Sequence, residues 1–323
     1  MNSRLLLGRS ASPFSFSWLF TNASRPATAV ASGRTFAFQA SLRGTTAKAI
    51  YSIPLNSPRR SIWTTRTDMS GEVLQGEVET TAAATPVAEN LEDVRQRVRT
   101  ATDEAGEGRA LPRLVAVSKT KPVEDLQAAY DAGQRIFGEN YAQELIEKCP
   151  KMPQDVVWHF IGHLQSNKAK ALVADVPNLS VLETLDTSKL ATKLQQAACE
   201  SAGRELPLGV FIQIDTSGEE AKSGIHHTDV DGCLSLCRHL KDSCPSLELK
   251  GLMTIGAPGD MECFNRLCAC RDAVAAGLGL EPQVLELSMG MSGDFEEAIR
   301  RGSTNVRVGS TIFGARFYPN KKT

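Results

Sequence analysis

From about residue 89 onward, short apolar runs alternate with stretches whose apolar positions recur every three to four residues. The runs are 114–118, 135–138, 156–161, 179–183, 208–215, 247–253, 284–287 and 305–308. Runs of this length, rich in Val, Ile and Leu, predict strands buried on both faces, as in a parallel sheet. The stretches between them, among them 123–132, 141–148, 188–202, 229–243, 260–276 and 295–301, predict helices, with a leading helix over 90–102. Eight β-α units in roughly 230 residues predict a single (β/α)8 TIM barrel over 89–318, followed by a tail over 319–323. A doubly wound sheet has the same alternation. It loses its best support because no GxGxxG follows the first run, and no P-loop is present.

The N-terminal part breaks this pattern. Residues 1–68 hold eight Arg and one Lys against one acid, Asp68, and are rich in Ser, Ala and Thr. That composition predicts a disordered mitochondrial-type targeting segment. Phe14–Phe20 is interrupted by Ser and makes a poor secretory core. A plain disordered tail is the other reading. Met69 offers an internal start for a cytoplasmic form, and 69–88 reads as a linker.

Removing that segment changes the charge picture. The net charge of −1 becomes −9 beyond residue 68, with 27 basic and 36 acidic residues. An acidic body argues against nucleic acid as a partner. No run approaches the ~20 apolar residues of a membrane span. Hydrophobic residues at 41% supply one sizeable core. The eight Cys form no CxxC and no zinc spacing, which predicts reduced thiols and no metal.

In a TIM barrel the chemistry gathers after the C-terminal ends of the strands. Lys119 follows the first run. There it is either a solvated strand-end lysine or a partly desolvated amine whose pKa should fall, a nucleophile able to form a Schiff base. After the seventh run comes Ser288-Met-Gly-Met-Ser-Gly-Asp294, and after the eighth Gly309-Ser-Thr-Ile-Phe-Gly314. Both are either simple turns or a phosphate cradle, and TIM barrels commonly bind phosphate at these two loops. A cradle and an amine across one mouth suggest a phosphorylated aldehyde, of which pyridoxal 5'-phosphate (PLP) is the common one. Arg307, if it points inward, reaches the pyridine nitrogen and keeps it unprotonated; otherwise it pairs with Glu139 or Asp294. His159 reads as a satisfied core histidine. The charged loop 215–224 reads as solvated.

Six segments, Ala116-Val-Ser-Lys-Thr-Lys-Pro122, Phe137-Gly-Glu-Asn-Tyr141, His159-Phe-Ile-Gly-His-Leu-Gln165, Gly251-Leu-Met-Thr254, Leu287-Ser-Met-Gly-Met-Ser292 and Arg307-Val-Gly-Ser-Thr-Ile-Phe-Gly314, resemble the pyridoxal phosphate homeostasis proteins (the YggS/PROSC family). The resemblance covers about 86–318. It implies a PLP-binding barrel similar to the alanine racemase N-terminal domain, with the Schiff base on Lys119. It also implies that Ser288, Ser292, Gly309, Ser310 and Thr311 bind the phosphate, Arg307 faces the pyridine nitrogen and Asn140 sits beside the ring. The implied role is intracellular buffering and delivery of PLP without turnover, in a monomer whose partners are PLP-dependent apo-enzymes. The alternative is an amino-acid racemase, which needs a second base. Alanine racemases take theirs, a Tyr, from a separate domain; this chain ends at Thr323. Tyr141 is the internal alternative.

Overall fold

The computed structural model describes residues 85–201, 207–218 and 223–315 in full and, upstream, the backbone of five strand segments. The chain divides into two units, 1–82 and 83–323. In the first, Val30–Ser32, Thr35–Leu42, Thr45–Ser52, Trp63–Thr67 and Val73–Glu77 pair in chain order as an antiparallel sheet. These segments contain several Thr and aromatic residues, which favour extended backbone. The remainder of the expected targeting segment, most of the linker and the 319–323 tail lie outside the described residues.

The second unit is the predicted barrel. Its strands are β1 (Arg113–Val117), β2 (Ile136–Glu139), β3 (Val157–Phe160), β4 (Leu179–Leu185), β5 (Leu208–Asp215), β6 (Leu247–Met253), β7 (Glu286–Ser288) and β8 (Asn305–Val308). Each runs parallel to the next, and β8 returns to β1 with Arg307 opposite Val115 and Val308 opposite Ala116. All eight predicted runs overlap these strands.

The helices are α1 (Pro86–Glu104), α2 (Val123–Asp131), α3 (Ala142–Lys148), α4 (Ala169–Asp175), α5 (Ser188–Glu200), α6 (Val230–Ser243), α7 (Glu262–Leu278), α8 (Phe295–Arg300) and α9 (Ser310–Phe313). α1 begins where Thr85 accepts a hydrogen bond from the Ala88 amide and Pro86 supplies a first-turn residue that needs no donor. Its buried face, Leu91, Val94, Val98 and Ala101, follows the helical repeat. Asn90 Nδ2 donates to the Ile312 carbonyl at 3.1 Å, and Arg97 pairs with Glu296 at 2.6 Å. The leading helix is therefore tied to the last two.

Strand alternation separates two interiors. Leu182, Val210, Ile212 and Leu252 belong to the large core shared with the helices, whereas Val181, Phe211 and Met253 form a small cluster of their own. Successive side chains on a strand face opposite ways, so the second set fills the barrel itself. The rest of that interior is ionic, and this shapes the site.

Candidate functional site

Lys119 is half-buried just past the end of β1, and the main chain on both sides of it is held. The Ser118 amide donates to the Gly138 carbonyl at 3.0 Å, and Ser118 Oγ donates to Glu139 Oε1 at 2.7 Å. Lys148, the last residue of α3, spends its ammonium on the Ser118 carbonyl (2.8 Å), Glu139 Oε1 (2.7 Å) and Glu144 Oε1 (2.6 Å). The Thr120 amide donates to that same Glu144 oxygen at 2.7 Å. Thr120 has φ 62°, a left-handed backbone that a β-branched residue rarely adopts. Glu139 is fully buried and its Oε2 has no hydrogen-bond partner. Burial pushes the Glu139 carboxyl above its ordinary pKa, against the pull of Lys148 and Ser118. The neighbouring Lys121 donates to the Phe313 and Ala315 carbonyls at 2.6 and 2.8 Å.

The loops after β7 and β8 form the opposite rim. Gly290, with φ 95°, turns the first of them, a conformation suited to glycine. The Gly309 and Thr311 amides converge on Ser292 Oγ at 3.0 and 3.5 Å, and Thr311 Oγ1 donates to the Ser292 carbonyl at 3.3 Å. A Cβ on Gly309 would lie 3.1 Å from the Val117 carbonyl, so a side chain there would crowd the end of β1. The two backbone amides are thus already aimed at one oxygen acceptor, which suits a phosphate.

Beneath the rim lies a buried ionic network. Arg307 donates to Ser288 Oγ and, at 2.7 Å, to the Thr254 carbonyl, and sits 3.6 Å from Glu183 Oε2. Glu183 also accepts from Ser288 Oγ (2.6 Å) and Asn305 Nδ2 (3.1 Å), and its Oε1 lies 2.6 Å from His159 Nδ1. Burial alone would raise the Glu183 pKa, but His159, Arg307 and Ser288 hold its carboxyl below the usual value. Burial lowers the Arg307 guanidinium, with Glu183 and Asp294 opposing.

Between the rims is a cavity of about 390 Å³ whose wall includes Lys119, Ser292, Arg307, Gly309 and Ser310. Among the described residues its titratable lining is cationic: Lys119, Lys121 and Arg307, with no carboxylate. Val117, Ile161 and Met291 supply apolar surface. Cations, a pair of converging amides and an apolar floor fit a phosphorylated aromatic aldehyde.

Three expected residues stand off this wall. Ser288 is fully buried, enclosed by Glu183, Asn305 and Arg307. As the last residue of β7 it belongs to the barrel interior, which corrects its expected place in the phosphate cradle. Asn140 is half-buried, its main chain packed so closely on Gly162 that any Cβ there would strike the Asn140 carbonyl. Thr311 holds Ser292 rather than facing the cavity. Arg307 pairs with Glu183, not with Glu139 or Asp294. Tyr141 is 55% exposed, at the start of α3, off the cavity wall. His159 is the bonded core histidine expected. Sequence reasoning missed Glu144, Lys148 and Glu183, and named Glu139 only as a possible partner of Arg307. Only Glu183, a lone charge in an apolar run, carried a signal.

Against known proteins, the model of the alanine racemase N-terminal domain matches residues 90–317. A pyridoxal phosphate homeostasis protein of Mus musculus is 50% identical over 221 residues, 65% of this chain and 79% of that protein. One from Pasteurella multocida is 41% identical over 240 residues, 72% of this chain and 98% of that protein. The solved structure of PipY from Synechococcus elongatus with PLP bound is 28% identical with a TM-score of 0.56, covering 71% of this chain and all of that one. Alanine racemase from E. faecalis, at 20% identity, TM-score 0.51, and 74% and 60% coverage, shares the fold.

Proposed function

Because the chain belongs to the pyridoxal phosphate homeostasis family, built on the alanine racemase N-terminal domain, we propose that it holds PLP as a Schiff base on Lys119 and buffers and delivers it inside the cell. The observation that carries this reading is the cationic cavity, with one strand-end lysine facing a rim of converging amides. When bound, PLP supplies an electrophilic aldehyde and an electron-withdrawing ring. Lys119 would hold the group through its amine. Lys121, donating to two carbonyls, stays a charged tie between the first and last strand-end loops. Gly309, Ser310 and Ser292 bind the phosphate through amides and hydroxyls. Arg307, fixed by Ser288 and Glu183, would hold a cation at the pyridine nitrogen and so disfavour its protonation.

The carrier reading is favoured over racemization by the same wall. Racemization needs a base on each face; Tyr141 is exposed and off the cavity, and among the described residues no carboxylate lines it. A monomer that passes PLP to apo-enzymes follows from this reading. Residues 1–67 direct it to mitochondria, and a form starting at Met69 stays cytoplasmic; fusing 1–67 to a reporter tests this, and a uniformly cytosolic signal would overturn it.

Borohydride reduction of the PLP-loaded protein followed by peptide mapping tests the central reading. We expect the adduct on Lys119, its complete loss in Lys119→Ala with the fold retained, and transfer of PLP from the unreduced protein to an added apo-enzyme. An adduct on Lys121 would overturn the assignment. Fast exchange of a substrate α-proton with inversion, lost in Tyr141→Phe, would make the protein an enzyme.

A further inference from the structure

Resting on the reading that Lys119 is the PLP lysine, we propose that Lys148 and Glu144 are positioning residues that set the direction of Lys119 by clamping the peptide groups before and after it. Lys148 is nearly fully buried, and three oxygens lie within hydrogen-bond distance of its ammonium, one for each N–H. One of these oxygens is the Ser118 carbonyl, on the peptide that enters Lys119. Another is Glu144 Oε1, which also accepts the Thr120 amide, on the peptide that leaves Lys119. A single ammonium–carboxylate pair therefore spans Lys119 from one side to the other.

The strained torsion says what the clamp does. Thr120 at φ 62° is the single non-glycine residue with positive φ among the described residues. A β-branched side chain there is held against its own preference, and such strain persists only where surrounding contacts over-determine it. Two bonds act on that residue: the 2.7 Å bond from its amide to Glu144, and the 3.1 Å bond from the Lys121 amide to the Ser118 carbonyl that closes a turn over Lys119 and Thr120 and is itself held by Lys148. Without the first, Thr120 relaxes toward negative φ, and the Lys119 side chain turns away from the cavity. Glu139, bonded to both Ser118 Oγ and Lys148 beneath β1, anchors the clamp to the barrel. Neither Lys148 nor Glu144 touches the cavity that Lys119 lines, so their effect falls on delivery of the amine and not on recognition of the ligand.

The test separates capture from binding. Stopped-flow absorbance gives the rate of covalent capture of PLP. Equilibrium dialysis gives the affinity for pyridoxine 5'-phosphate, which has no aldehyde. Glu144→Ala slows capture about ten-fold, in keeping with release of a strained torsion, and leaves pyridoxine 5'-phosphate affinity unchanged. Adding Thr120→Gly to Glu144→Ala restores most of the rate, because glycine adopts this torsion without cost. A merely structural role of Glu144 would not be rescued by a glycine. Lys148→Met slows capture likewise, with urea unfolding confirming that it folds. Unchanged capture in folded Glu144→Ala and Lys148→Met, equal losses for both ligands, or no rescue by Thr120→Gly would each overturn the inference. Peptide mapping of the wild-type adduct keeps the two claims apart. An adduct away from Lys119 sinks the PLP-lysine reading and the clamp with it; an adduct on Lys119 with unchanged variant rates sinks the clamp alone.

Discussion

Two buried ionic networks flank the cavity, and they use their charges differently. Under β1, Lys148 and Glu144 are spent on main chain, the Ser118 carbonyl and the Thr120 amide, with Glu139 anchoring Lys148 and the Ser118 hydroxyl beneath them. Under β7 and β8, Glu183, Ser288 and Asn305 are spent on the Arg307 side chain and on one another, and Arg307 itself lines the cavity. The first network fixes the main chain that carries a long side chain. The second fixes the charged tip directly. A nucleophile has to travel to its carbon, whereas a guanidinium that tunes a ring has to stay put, and burial of its counter-ion enforces that.

The contrast is broken most forcefully at Glu183. Glu183→Leu leaves the Arg307 cation buried beside no carboxylate, and losing one partner of a buried pair costs about 3–5 kcal/mol. Urea unfolding of the ligand-free protein should show that loss, and the double variant Glu183→Leu/Arg307→Leu should recover most of it. Equal instability in the single and double variants would mean that Glu183 contributes by packing alone. A smaller effect is expected at the rim between the networks. Ser292→Ala removes one hydrogen bond to a charged phosphate, worth about 1.5–3 kcal/mol, so PLP affinity should fall roughly ten-fold or more. Ser310→Asp should weaken PLP further by setting a like charge against the phosphate. Pyridoxal, which lacks the phosphate, should bind Ser292→Ala and wild type alike; a wild-type affinity for pyridoxal equal to that for PLP would refute the cradle.

The smallest effect sharpens the comparison most, because the two carboxylates shift in opposite directions. The Glu183 pKa is depressed in the fold, so its contribution is full above the ordinary carboxylate value and fades as pH falls through the depressed one. The Glu139 pKa is raised, so its contribution is full below the ordinary value and fades as pH rises through the raised one. Wild type should therefore lose ground to Glu183→Gln as pH falls below the ordinary carboxylate value of about 4, and lose ground to Glu139→Gln as pH rises above it, by about 1.4 kcal/mol for each pH unit of displacement. Urea midpoints at three pH values decide it; parallel curves for wild type and both variants would remove the distinction.

Much of this was legible in the chain. The eight apolar runs revealed the parallel strands because a parallel strand covered on both faces has no polar face to disguise it. Lys119 and the Ser292 and Gly309–Thr311 loops were legible because polar and glycine-rich residues directly after such runs fall at the mouth. Ser288 misled for a local reason: it shares a loop string with Ser292, but strand alternation buries it in the interior. Lys148 was not legible, since a lysine at the end of an amphipathic helix looks like any solvated surface charge. Its partner Ser118 lies 30 positions away, and only the β1–β2 pairing brings the two together.

The seam between β8 and β1 has a consequence for synthesis. Lys119 belongs to the first strand of the barrel, while Ser292, Arg307 and Gly309 arrive with the last two, so a growing chain on the ribosome carries the amine long before it carries the cradle. Closing that seam joins residues nearly two hundred positions apart, and no nascent fragment can sequester the ligand. Ligand capture then rewards the finished ring alone: whatever free energy binding supplies is added to the strand pairing that closes the barrel last.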